Sequence, residues 1–392
     1  MSAAPDLYEH PLEFCLLLAC IRPESATVRS ESLQAILSES QGQVDGGKLL
    51  DLAVRHKLIP QLHLSLQGVS DDLLSKEVRE DLGQRFSASV QRNLTYSAEL
   101  LRLVKRFDEN DVPLRCVKGP VLAQELYGGL EQRQYADLDL LVRPSDLRNA
   151  CKVLERAGYR WRFARTSNMT ARQFQRNARL NQEMPFQKSS ESCHVYVDLH
   201  WRLSNGPAFQ MPVDRLFDTS HAVAIGGRSL QTMSRRDLLA YLAHHGSYHR
   251  WRRLHWLCAF ARLLHSFPRE EWDDLRRHCA SFGPDRFFMT GLLILEDFGI
   301  IENPESHVPN IAGARDDLRR VLRAVHRDLD SRDDRPAFRM KSLVEQTVWH
   351  AQFTGRSSEL IRYPVARLAD WASKASIWFR NFRKERGENQ SG

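Results

Sequence analysis

The chain has no CxxC pair among its seven cysteines, which are odd in number and scattered over 392 residues. A disulfide framework or a zinc ribbon is therefore not expected, and a reducing cytoplasm is the natural setting. No run approaches the ~18 apolar residues that a membrane span needs. Residues Phe14 to Ile21 are apolar, but Asp6, Glu9 and His10 precede them, where a secretory signal carries positive charge. Internal repeats and low-complexity blocks are absent. With 42% hydrophobic and 27% charged residues, general disorder is not expected. A strong charge bias is also missing. The net charge of +7 favours anionic partners such as nucleotides or phosphates, yet it is too modest and too spread to mark a nucleic-acid binder.

What is present is a change of period along the chain. Leu49, Leu50, Leu52, Ala53 and Val54, then Leu58, Ile59, Leu62 and Leu64, recur with helical spacing. A long helix is expected over 86–110, ended by Asn110-Asp111 and Pro113. Short apolar runs then read as strands at 112–117, 135–142, 159–163 and 194–201. Helices are expected at 121–127 and from Pro144-Ser145-Asp146 to Ala157, while 164–190 is polar and carries no clear assignment. Helices return at 235–266, 269–282, 285–297, 313–330 and 338–353, and the tail after Gly387 is expected to be disordered. The fold class is α+β, a small mixed sheet core between helical flanks.

Asp137-Leu138-Asp139 sits at the start of one predicted strand. Strand residues at i and i+2 share a face, roughly 6 to 7 Å apart, so the two carboxylates lie side by side. Adjacent anions repel unless a cation sits between them, and hard oxygens at this spacing suit Mg²⁺, with Mn²⁺ as an alternative. Asp198 lies in another predicted strand, and three carboxylates meeting on one sheet can hold two metal ions about 4 Å apart. Lys118-Gly119 closes the first strand before Pro120 opens a helix, a place where phosphate is attracted to free amides. Arg133, four residues before Asp137, can grip phosphate in a fork. Together these describe phosphoryl or nucleotidyl transfer. Taken singly they are ordinary: a solvated strand end, a surface turn, a carboxylate that orients His200.

Three histidines add to the set. His200 shares a strand face with Asp198 and reads as an outer partner hydrogen-bonded to a carboxylate. His245 and His249 are four apart on a predicted helix, but no Glu follows His245 and no third ligand is evident. Packing against the core is preferred for them, with a place beside the site as the alternative. Cys116 and Cys151 read as buried and inert. At the C-terminus Leu368, Trp371, Ala375, Trp378 and Phe382 make an apolar stripe ending in Arg380, Arg383, Lys384 and Arg386. Docking on the protein itself is preferred over an anionic membrane surface.

The stretches VPLRCVKGPVLAQELYG, RQYADLDLLVRPSDLRNACKVLERAGYRW and VYVDLHWRL resemble the uncharacterised nucleotidyltransferase family of the polymerase-β-like superfamily. The similarity extends over roughly 49–266 through LLDLAVRHKLIPQLHLSL and RRDLLAYLAHHGSYHRWRRLHWLCAFARLL. The resemblance implies a nucleotidyltransferase core at 93–220, helical regions at 1–92 and 221–353, and a basic amphipathic tail at 354–392. It implies Asp137, Asp139 and Asp198 as an acidic triad, a nucleoside triphosphate donor with ATP as default, and a protein, sugar or small-molecule acceptor. Lys118-Gly119 stands where better known members carry Gly-Ser, so triphosphate would rest on backbone amides, Lys118 and Arg133. Ala259 stands where relatives carry Asp. A nucleotide-binding or scaffold protein without transfer is the competing expectation.

Overall fold

The computed structural model describes residues 10–40, 43–161, 169–189, 194–206 and 208–330, with 347 and 349. Residues 347 and 349 are helical, and the rest of the helix expected at 338–353 and all of the amphipathic tail lie outside the described residues. The chain forms two units, and one of them is assembled from both ends of the described sequence.

Unit 1 takes the residues up to Leu94, then Glu125–Gln134, then 235–330. It holds α1 (Leu12–Cys20), α2 (Ala26–Glu39), α3 (Gly46–His56), α4 (Ile59–Leu66) and the first part of α5 (Lys76–Asp108). Ser25 caps α2 and Asp45 caps α3, each accepting a first-turn amide. The same unit contains the helices from the far end of the chain, given below. Phe14 of α1 lies edge-on to Phe298, with ring centroids 5.9 Å apart, so the two ends share one apolar interior.

Unit 2 begins at Thr95 within α5 and carries the sheet. Its elements are β1 (Arg115–Cys116), α6 (Pro120–Tyr127), β2 (Leu138–Leu141), α7 (Leu147–Arg156), β3 (Arg160–Trp161), α8 (Ala171–Leu180), β4 (Glu183–Ser189), β5 (His194–His200), α9 (Val213–Asp218), β6 (His221–Ile225) and β7 (Arg228–Thr232). The last turn of α6 belongs to unit 1. The strands run β1-β2-β5-β4-β3, and only β2 and β5 are parallel. All four residues of β2 are buried, as expected of a central strand. β6 and β7 form a separate hairpin whose turn, Gly226-Gly227, has both φ angles positive.

The expected strands are present, those at 112–117, 135–142 and 194–201 shorter than expected, and the unassigned stretch 164–190 contains both α8 and β4 among its described residues. The helix expected at 235–266 is two: α10 (Arg235–Tyr248) and α11 (Leu254–His265). They are broken at Arg250 and Trp251, which both take left-handed backbone. α12 (Trp272–Ala280), α13 (Arg286–Asp297) and α14 (Ile311–Asp330) complete unit 1.

Candidate active site

Strand alternation decides which side chains meet. In β5, Val195, Val197 and Leu199 are buried, which turns Tyr196, Asp198 and His200 to the opposite face. Parallel pairing sets Asp139 of β2 directly against Asp198, at the usual strand spacing of about 4.8 Å. On the other side β4 pairs Glu183 with His200, Pro185 with Asp198 and Gln187 with Tyr196. One sheet face therefore carries Asp139, Asp198, His200 and Glu183. Asp137 lies one residue before β2 and is half-buried.

Two devices fix this face. Tyr96 of α5 donates its hydroxyl to the Ala136 carbonyl at 2.7 Å and accepts from the Tyr196 amide at 3.3 Å, joining the approach to β2 with β5. Gly119 takes φ 61, and a β-carbon there would lie 3.3 Å from the Asp137 carbonyl oxygen. Only glycine fits both the left-handed backbone and the close approach. The Val117 amide, just before, donates to the Asp139 carbonyl at 3.0 Å.

That turn aims Lys118 at Asp139. The ammonium donates to Asp139 Oδ1 at 3.2 Å, and His200 Nε2 lies 3.2 Å from the same oxygen. His200 Nδ1 lies 3.4 Å from Glu183 Oε2. Burial alone would raise the Asp139 pKa, but the Lys118 charge and the His200 hydrogen bond overcome it and hold the group well below the carboxylate range. Burial disfavours charge on His200, yet the bond to Asp139 and the Glu183 charge raise its pKa. Asp198 goes the other way. Its burial, then the nearby charges of Glu183, Asp139 and Asp137, push its pKa up to about 7. The Asp198 carboxylate has no hydrogen-bond or ion-pair partner among the described residues.

Beside these groups is a cleft of about 250 Å³, lined by Asp137, Asp198, Tyr196, Gln187, Pro185 and Phe186. That is near the lower end of ligand pockets, roughly 300 to 1,000 Å³, and suits a phosphate or a sugar better than a whole nucleotide. Asp137 and Asp198 present hard oxygens to it. Asp139 sits behind them, held by Lys118 and His200. Among the described residues no group of three or more His, Cys, Asp or Glu side chains is placed to hold a metal ion. The donor chemistry of Asp137 and Asp198 fits a hard divalent cation, and Asp139 can join only by exchanging its present partners.

Asp137, Asp139, Asp198, Lys118, Gly119 and His200 all belong to unit 2. Arg133 belongs to unit 1, as do His245 and His249. The two imidazoles lie 4.5 Å apart, with Trp256 stacked on His249 at 4.9 Å, in an aromatic cluster. Ala259 is buried in α11. Cys116 and Cys151 are buried. Glu183 was not among the residues picked from the sequence. Its signal was the alternation of Met184 and Phe186, masked by Pro185, which reads as a strand breaker.

Among the described residues no helix is long and apolar enough to cross a membrane. No curated protein and no solved structure matches the chain. One family model, described as an uncharacterised nucleotidyltransferase, matches residues 42–299 and so takes in the whole Asp139–Asp198 pairing. The chain belongs to that uncharacterised nucleotidyltransferase family.

Proposed function

We propose that the protein is a Mg²⁺-dependent nucleotidyltransferase that moves a nucleoside monophosphate from a triphosphate, ATP by default, to an acceptor hydroxyl and releases pyrophosphate. The observation that carries this is the parallel register that sets Asp139 against Asp198 with Asp137 beside the cleft. Asp137, Asp139 and Asp198 would hold the divalent ion, which when bound supplies charge to neutralise the triphosphate. Asp198, titrating near 7, suits taking a proton from the acceptor. Lys118 and the Gly119 turn hold phosphates in this scheme. His200 orients Asp139 in this scheme. In the chain the proposed catalytic segment is 93–220, flanked by segments 1–92 and 221–353, with a basic sequence from 354. A cytoplasmic setting and a protein, sugar or small-molecule acceptor accompany the proposal, and nucleic acid is not favoured.

A second reading has its own observation. Asp139 is already neutralised by Lys118 and His200, which suits a protein that binds a nucleotide without transferring it. One experiment separates the two. The full chain is incubated with each labelled triphosphate and Mg²⁺, alone and with a cell extract, and products are weighed by mass spectrometry. Label on the protein or on one extract component, lost in Asp198→Asn, supports transfer. Triphosphate binding with no label anywhere favours the second reading, and label retained in Asp198→Asn sinks the first.

A further inference from the structure

The sheet face that carries Asp139 and Asp198 continues past them. One rung along, β5 presents Tyr196 and β4 presents Gln187, direct partners across the antiparallel ladder. Tyr196 and Asp198 are two apart in the strand, so their side chains stand on this face roughly 6 to 7 Å apart. Carrying the parallel register one residue back brings Asp137 level with Tyr196. These residues, with Pro185 opposite Asp198, line the cleft of about 250 Å³.

Tyr196 is 46% exposed. The other large apolar side chains open to solvent among the described residues, Val28, Val54 and Leu94, lie on helices of unit 1. At the cleft, then, one aromatic ring is left uncovered, and its backbone amide is pinned on the Tyr96 hydroxyl at 3.3 Å. A held ring with an open surface is a stacking platform. Gln187 beside it can both donate and accept hydrogen bonds. Among the described residues no lysine, arginine or histidine lines the cleft. Lys118 and His200 are engaged on Asp139, and Arg160, the partner of Gln187 one strand farther out, is not in the lining. An anionic ligand would meet Asp137 and Asp198 there with no cation to offset them. The order of strands also separates the two substrates. Lys118 and Gly119 follow β1, on the β2 side of the carboxylates, whereas Pro185 and Gln187 lie on β4, beyond Asp198. A triphosphate held at Lys118 leaves the cleft to the acceptor.

We propose that the cleft beside Asp198 binds the acceptor, and that the acceptor is an uncharged saccharide whose ring lies on Tyr196 and whose hydroxyls bond to Gln187. Binding follows from the cleft alone, and the step after it rests on the transferase reading above. In that step a sugar hydroxyl oxygen forms a bond to the α-phosphorus of the triphosphate. The bond from that phosphorus to the oxygen bridging to the β-phosphate breaks, and pyrophosphate leaves with the bonding pair. The hydroxyl proton passes to the Asp198 carboxylate. Tyr196 and Gln187 choose the acceptor and take no part in the bond changes.

The test is a saturation-transfer NMR titration of the full chain with Mg²⁺ and no triphosphate. The probes are glucose, galactose, mannose and N-acetylglucosamine, with glucose 6-phosphate and adenosine as contrasts. At least one neutral sugar should bind in preference to both contrasts. Tyr196→Ala should weaken that binding about tenfold or more, whereas Tyr196→Phe, which keeps the ring, should stay within about twofold of wild type. Gln187→Ala should cost about fivefold. Both side chains are exposed, so these variants leave the core untouched. Binding of none of the neutral sugars, equal binding in Tyr196→Ala, or preference for either contrast overturns the proposal. A sugar that binds through Tyr196 yet gains label from no triphosphate keeps the site and sinks the enzymatic reading. Label transferred to a compound that is not a saccharide overturns this assignment and leaves the enzymatic reading standing.

Discussion

Asp139 and Asp198 are the same residue type on paired strands, and their surroundings separate them. Asp139 is buried against two cationic partners, so Asp139→Asn removes the carboxylate that both of them bind and should destabilise the fold by about 2–4 kcal/mol. Asp198 faces other carboxylates, so Asp198→Asn should leave stability unchanged or raise it by up to about 1 kcal/mol at pH 8. Urea unfolding of both variants checks the contrast, and equal effects would refute it. The sequence shows two acids side by side and predicts simple repulsion. It does not show that Lys118, 21 residues upstream, reaches one of them. A second prediction concerns His56, which is fully buried and whose pKa falls to about 3, through burial and then the Arg55 and Arg253 charges. The folded protein therefore binds this proton less readily than the unfolded chain. The contribution is complete above about pH 6.5 and is lost as the pH falls toward 3, reaching roughly 2 kcal/mol by pH 5. In His56→Gln the fall in stability from pH 7.5 to 5 should be smaller by about that amount. A slope identical to wild type would show that His56 is not the group.

At the scale of elements, β2 and β5 were legible because each is a compact apolar run with acids at fixed steps. β4 and α8 were not, because Pro185 interrupts the one and polar residues dominate the other. The hairpin of β6 and β7 carried a readable sign, two short runs around Gly226-Gly227, that was passed over. The break between α10 and α11 carried none. His249-Arg250-Trp251-Arg252-Arg253 holds no glycine or proline, and the helix ends there for a tertiary reason. Trp251 is 1% exposed and packs on Gly246 and Gly291. A β-carbon at Gly246 would overlap the indole ring, so Gly246→Ala should lower stability by about 1–3 kcal/mol or more, measured by thermal or urea melting. An unchanged melting point would mean that the tryptophan does not hold the break.

Across the whole molecule, unit 1 depends on residues far apart in the chain. His10 stacks on His326 and Phe14 meets Phe298, while the Leu254 amide reaches His56 across 198 positions. Phe14→Ala should therefore cost about 3–5 kcal/mol and loosen both ends together. Hydrogen exchange would show it as lost amide protection in α13 and α14 as well as in α1 to α3. Protection lost in α1 alone would mean that the ends are independent. None of this pairing was readable beforehand, since helical periodicity says which face is apolar and not which distant helix covers it. The arrangement also fixes an order of events during synthesis. At about 5–20 residues per second, His56 is made roughly 10–40 s before Leu254. Through that interval the first helices wait with their apolar faces uncovered, so holding chaperones have a long window in which to bind the nascent chain.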